Sequence, residues 1–196
     1  MNRRDALRKL AAGGIGAAAS ASWVDNLSAL ARVQADRLHV AVATSQAGTR
    51  WVPKILTAHQ HDTVATLVEL IIPQTDTPGA KAVFVDRFVD SLLAEAQRPD
   101  RARFLGGLAW LDRRSKALYA RDFVTGSPAQ QAELLTKLSA DGSVEDRAGV
   151  AFFAAIKAMT ITGYYTSEVG LRDELGDDGR MFLPAYEGCT HPEHQR

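Results

Sequence analysis

The chain has 196 residues, 46% hydrophobic and 23% charged, enough for one domain with a buried core. Its formal charge of zero conceals an asymmetry: residues 1–54 carry eight Lys or Arg against three Asp or Glu, and residues 57–196 carry fifteen against twenty. The acidic body offers no phosphate-tracking surface, which argues against nucleic-acid binding, and no apolar run of about 18 residues follows the leader to cross a membrane.

The leader reads MNRRDALRKLAAGGIGAAAS. Arg3, Arg4, Arg8 and Lys9 form a cationic start, and residues 10–21 form a weakly apolar segment in which Gly13, Gly14 and Gly16 replace the usual Leu run. Together they resemble a twin-arginine (Tat) export signal, an address read from the Arg3-Arg4 pair rather than from bulk hydrophobicity. The pattern departs at Ala6, where an aromatic residue or Leu is commoner. Residues 1–31 are expected to be this signal, with a basic amphipathic arm as the competing reading. Ala19-Ser20-Ala21 and Ala29-Leu30-Ala31 both fit a small-residue cleavage site, and cleavage itself stays open. The Tat route carries folded proteins, usually ones that acquire a cofactor before export, so the body has to be searched for one.

Residues 32–56 are mixed and poorly periodic and are expected to be a linker or arm. Thr57 and Gln60 then form a capping box ahead of Val64, Leu67, Val68 and Ile71, which recur at helical spacing. Pro73 ends that helix, and the connector PQTDTPGA follows. Pro73 lacks a donor, Pro78 fixes φ, and Gly79 can take φ > 0 at low cost, so this turn predicts an interface or a packing corner. A second helix is predicted over residues 82–97, with Phe84/Val85, Phe88/Val89 and Leu92/Leu93 as its apolar stripe. The third starts at Pro99-Asp100 and turns Phe104, Leu108, Leu111 and Leu118 inward, with Arg113, Arg114 and Lys116 outward. Ser127-Pro128 opens a fourth helix running to about Leu138. After a break at Asp141-Gly142 comes a fifth over residues 144–165, the most apolar and expected to be central, with Gly149 permitting close approach. Beyond Gly170, three Gly and two Pro argue against a long helix. The pattern predicts an all-α fold: one bundle of about five helices at 57–170, an extended N-terminal arm, and an irregular tail at 171–196.

The search for chemistry yields no catalytic, cofactor or metal site. His59 and His61 lie two apart at a helix start and read as solvated residues of the cap. Cys189, His191, Glu193 and His194 crowd six residues, but compact zinc sites draw on two separated pairs, and Pro192 stiffens this segment. No Gly-x-Gly-x-x-Gly and no Gly-x-Ser-x-Gly motif occurs. Asp86 and Asp90, at i and i+4, read as solvated or bonded to Arg87, and Tyr164 and Tyr165 in GYYTSE as helix termination and packing ahead of partner contact. An export signal without a cofactor site is reconciled if the cofactor belongs to a partner.

Four segments, LVELIIPQTDTPGA (residues 67–80), VFVDRFVDSLL (83–93), GYYTSEVG (163–170) and YEGCTH (186–191), resemble the gluconate 2-dehydrogenase subunit 3 family. The IIPQTDTPGA block is the most specific of them. The resemblance implies a non-catalytic, Tat-signalled subunit of a membrane-associated sugar dehydrogenase. Its partner would be a large flavoprotein of the glucose-methanol-choline (GMC) type carrying FAD, with electrons passing to a cytochrome c or another acceptor. This chain would then escort the flavoprotein to the periplasm, and Arg3 and Arg4 would serve two polypeptides. Membrane association would come only through the complex. Pro73, Thr75, Thr77, Pro78, Gly79, Tyr164, Tyr165 and Tyr186 are the expected partner contacts, and the family pattern is broken at Asp177. A lone Cys in an exported chain is buried, reactive or paired with another chain; the polar neighbours of Cys189 disfavour burial. The alternatives are a free-standing periplasmic α-helical binding protein and, more remotely, an enzyme using Cys189 with His191 or His194.

Overall fold

Thr57 begins the first of the expected helices as the residue pattern requires. Its hydroxyl accepts the Gln60 N–H (3.3 Å), and the Gln60 side chain accepts the Thr57 N–H (3.0 Å). The computed structural model describes residues 18–45, 51–139 and 146–179; Arg3, Arg4, the Asp141-Gly142 break, Tyr186, Cys189, His191, Glu193 and His194 lie outside the described residues. Among the described residues the elements are α1 (Ala18–Ser45), α2 (Ala58–Ile71), α3 (Val85–Glu95), α4 (Arg98–Tyr119), α5 (Pro128–Ser139) and α6 (Arg147–Tyr165). A 3-10 turn covers Phe123–Thr125 and a π-turn covers Gly170–Glu174. The fold is all-α, and the five helices expected after Thr57 are present as α2 to α6.

α6 touches every other helix and forms the axis of the bundle. Its approach to α4 is close because small residues face rings. A Cβ on Gly149 would lie 2.1 Å from the Trp110 ring, and one on Gly107 would lie 2.4 Å from the Phe152 ring. Phe104 and Phe152 meet edge-on at 5.2 Å between centroids. Phe88, Val89, Leu92 and Leu93 of α3, and Val64, Leu67 and Val68 of α2, complete a continuous core. Leu118 does not join it: it is 40% exposed, and the inward stripe of α4 continues through Ser115 to Tyr119, which packs against the core.

Residues 32–45 are the second half of α1 rather than a linker. Trp23, Leu27, Ala31, Ala35 and Leu38 recur every three or four residues, and all are buried. The stripe packs chiefly on α6 and also on α3 and α4. Polar contacts fix its ends. Asn26 donates to the Asp100 carboxylate (3.1 Å), Arg37 pairs with Glu95, and His39 Nε2 meets the Thr166 hydroxyl (2.8 Å).

The chain from Trp51 to Thr57 is pinned as well. Asp90, fully buried, accepts the N–H groups of Lys54 (2.7 Å), Ile55 (3.0 Å) and Leu56 (3.0 Å). Asp86 receives His61 Nε2 at 2.6 Å, and Trp51 lies against the His61 ring. These carboxylates are therefore neither solvated nor held by Arg87, whose guanidinium lies over the Trp51 and Phe84 rings. A buried carboxylate is stable only where donors reach it, and here they come from the segment that precedes α2 for Asp90 and from His61 of α2 for Asp86.

Candidate functional site

The connector between α2 and α3 is braced from four directions. Its ends are closed by the Ala80 N–H donating to the Ile72 carbonyl (2.9 Å) and by the Val85 N–H donating to the Ala80 carbonyl (3.0 Å). From α2, the Glu69 carboxylate accepts the N–H groups of Gln74 (3.0 Å) and Lys81 (3.1 Å). From the last turn of α6, the Tyr164 phenol donates to the Pro78 carbonyl (2.9 Å) and lies 3.5 Å from the Thr77 hydroxyl. From the π-turn, Glu174 accepts the Thr77 hydroxyl and lies 3.4 Å from the Tyr164 oxygen.

Tyr164 is 1% exposed, and burial pushes its phenol above the ordinary value, which keeps the donor proton in place at neutral pH. Gly79 does not adopt a positive φ. Glycine is needed because a Cβ would lie 2.6 Å from both the Gln74 nitrogen and the Glu69 Oε1 atom. Strain is stored instead at Phe84, where φ is 61°, an uncommon value for a bulky side chain. The Arg87 guanidinium, 4.2 Å from the Phe84 ring centroid, helps to hold it. Such strain persists only where neighbours over-determine the backbone.

The bracing leaves the tip at the surface. Pro73, Gln74, Thr75, Asp76 and Pro78 are exposed, Thr77 is half-buried, and Gly79 is buried. The Thr75 hydroxyl donates to Asp76 (2.9 Å) and, with nearby backbone N–H groups, holds its carboxyl below the ordinary value, so the tip is anionic. Glu168, Asp173, Glu174, Asp177 and Asp178 add exposed acid along the following segment, against Arg172. Tyr165, 37% exposed, stands edge-on to Tyr164. Of the residues singled out in the sequence, the structure thus unites Thr77, Pro78, Gly79 and Tyr164 in one contact set. Pro73, Thr75 and Tyr165 flank it. Glu69 and Glu174 were missed, since an acid on a helix surface carries no pattern that foretells which N–H groups it will accept.

Two other features bear on ligands. His59, Asp112 and Asp122 offer ligand atoms within 4.8 Å of one another, yet each is already satisfied by the protein. His59 Nε2 meets Asp112 (2.7 Å), the Phe123 N–H donates to Asp112 (3.1 Å), and Lys116 pairs with Asp122 (2.7 Å). The lysine ammonium already supplies the positive charge there. The two histidines are thus carboxylate-paired, not merely solvated. A pocket of about 300 Å³ lies between α2, α5 and α6, lined by Leu70, Ile71, Leu135, Phe153 and Lys157. It lies at the small end of ligand clefts, which span about 300–1,000 Å³.

Fold and loop together define a small all-α protein that braces one backbone segment at its surface by hydrogen bonds from three neighbouring elements. The model of the family described as gluconate 2-dehydrogenase subunit 3 matches residues 58–177, and the chain belongs to that family of dehydrogenase subunits. Neither a curated relative nor a solved structure matched the chain.

Proposed function

We propose that this chain is the non-catalytic small subunit of a periplasmic FAD-dependent sugar dehydrogenase. It binds a large GMC-type flavoprotein, escorts it through Tat export by means of Arg3 and Arg4, and stabilises it afterwards. The observation that carries this reading is that the family match spans the braced loop together with Tyr164 and Glu174. A braced backbone loop with an anionic tip suits docking to a basic partner surface, since little conformational entropy remains to be lost on binding. Thr75, Pro78 and Tyr165 are the contacts of that face, and Tyr186 is a further partner contact. FAD and the catalytic base reside in the partner, electrons leave through a cytochrome c or another acceptor, and Cys189 forms a disulfide with a flavoprotein cysteine. The complex, rather than this chain, meets the membrane.

Co-expression with a candidate GMC-type flavoprotein from the same genome tests the reading. The flavoprotein should co-purify with a tag on this chain, flavin absorbance should belong to the complex, and the chain alone should be colourless and inactive on sugars. A yellow monomer, or a flavoprotein that is stable, active and exported without this chain, would overturn it.

A further inference from the structure

The leader leaves two small-residue sites open, Ala19-Ser20-Ala21 and Ala29-Leu30-Ala31, and the placement of α1 separates them. We infer that α1 from Trp23 onward is a permanent part of the mature protein, so that any processing occurs at or before Ala21 and the bond after Ala31 is not cut. The export step in this statement rests on the function proposed above; the integration of α1 does not.

Three observations carry it. First, the Ala29–Ala31 site lies near the middle of the regular helix Ala18–Ser45, whereas Ala19–Ala21 lies in its first turn. Proteases take their substrates as extended, accessible strands, and susceptibility follows the burial and hydrogen bonding of the backbone concerned. Ala31 is fully buried, and a packed helix offers no such strand without local unfolding. Second, cutting after Ala31 would remove Trp23 and Leu27, which are 5% and 1% exposed and belong to the common core. The loss would open a cavity against α6, the helix that touches all others. Third, the cut would strip Asn26 from Asp100, a 6%-exposed carboxylate at the start of α4. Cutting after Ala21 removes none of these contacts. Tat export raises the stakes, because a core completed by α1 is completed before the chain crosses the membrane.

Full-length protein provides the test in two arms. In the first, the chain recovered from the periplasm is analysed by intact mass, alone and with Ala29→Lys, an exposed position whose substitution spoils the downstream site. An N-terminus at Ser22 or earlier, unchanged by Ala29→Lys, is expected; an N-terminus at Arg32 that Ala29→Lys abolishes overturns the inference. In the second, amide hydrogen exchange is followed on cytoplasmic full-length chain, where export plays no part. Residues 27–38 should exchange within about tenfold of the α6 amides, as one cooperative unit. Exchange at the rate of unstructured chain overturns the integration of α1, whatever becomes of the escort role. Failure of export with a protected α1 would instead count against the proposed function alone.

Discussion

Asp90→Asn isolates the contact that joins the segment before α2 to the core. In the wild type, Oδ1 accepts from Ile55 and Leu56 and Oδ2 from Lys54, all within 3.0 Å, and the residue has no solvent exposure to substitute for them. Hydrogen bonds to a charged group contribute about 1.5–3 kcal/mol each, neutral ones about 0.5–1.5 kcal/mol. Asparagine retains one oxygen for Ile55 and Leu56 at the weaker, neutral level, and turns its amide N–H₂ toward the Lys54 N–H, donor against donor. The expected cost is about 2–4 kcal/mol, because the gains are not additive and Lys54 is exposed enough to recruit water. For a chain of this size that corresponds to a fall in Tm of roughly 5–15 °C. Asp90→Ala strands three donors and should cost more than Asp90→Asn. Urea unfolding followed by far-UV circular dichroism gives the free energy, and tryptophan fluorescence in a Trp23→Phe/Trp110→Phe background reports on the Trp51 segment. If Asp90→Asn unfolded within about 0.5 kcal/mol of wild type, the range of an ordinary surface change, the converging N–H groups would not be what anchors this segment.

Gly79→Val should break the Glu69 brace, cost about 1–3 kcal/mol in stability and reduce the yield of assembled complex, while turnover per bound flavin stays unchanged; lost turnover at normal yield would assign the loop to substrate handling. His39 gives a pH test. Burial lowers its pKa below the ordinary 6.5, with Asp36 opposing, and the Thr166 hydroxyl, committed to the Thr162 carbonyl, receives the Nε2 proton of the neutral ring. The unfolded chain then binds a proton the folded one resists, so this contribution is complete above about pH 6.5 and is lost as pH falls below it. Wild type should therefore lose more Tm than His39→Gln between about pH 7.5 and 5.5, and parallel losses would refute the assignment. Non-reducing electrophoresis of complex alkylated at harvest should show a band at the summed mass that collapses with thiol and is absent in Cys189→Ser. Separate bands would rule out the disulfide.

The bundle was legible because its helices begin and end on local chemistry. The Thr57–Gln60 box and the Ser127-Pro128 start act within a few residues, and the apolar stripes of α2 to α6 keep helical period. α1 carried an equally regular stripe, Trp23-Leu27-Ala31-Ala35-Leu38, but two of its five members are alanines. A boundary drawn at Ala31, where a leader could end, also cut the stripe in half. Asp86 and Asp90 were misread for a different reason: their partners, His61 and the N–H groups of Lys54, Ile55 and Leu56, lie 25 to 36 residues away, and spacing along one helix does not reveal them. The connector was recognised as special, yet the reason assigned to Gly79 was conformational where the structure makes it steric. Local patterns reveal where a turn must occur; the Glu69, Tyr164 and Glu174 contacts that brace it depend on tertiary geometry.

Escort of a flavoprotein by this chain is tested most directly by changing Arg3-Arg4 to Lys-Lys in cells that express both subunits. Dehydrogenase activity and flavin should disappear from the periplasmic fraction and accumulate in the cytoplasm together with this chain, while the cytoplasmic complex stays active. Undiminished periplasmic activity of the flavoprotein, with this chain retained inside, would contradict the account.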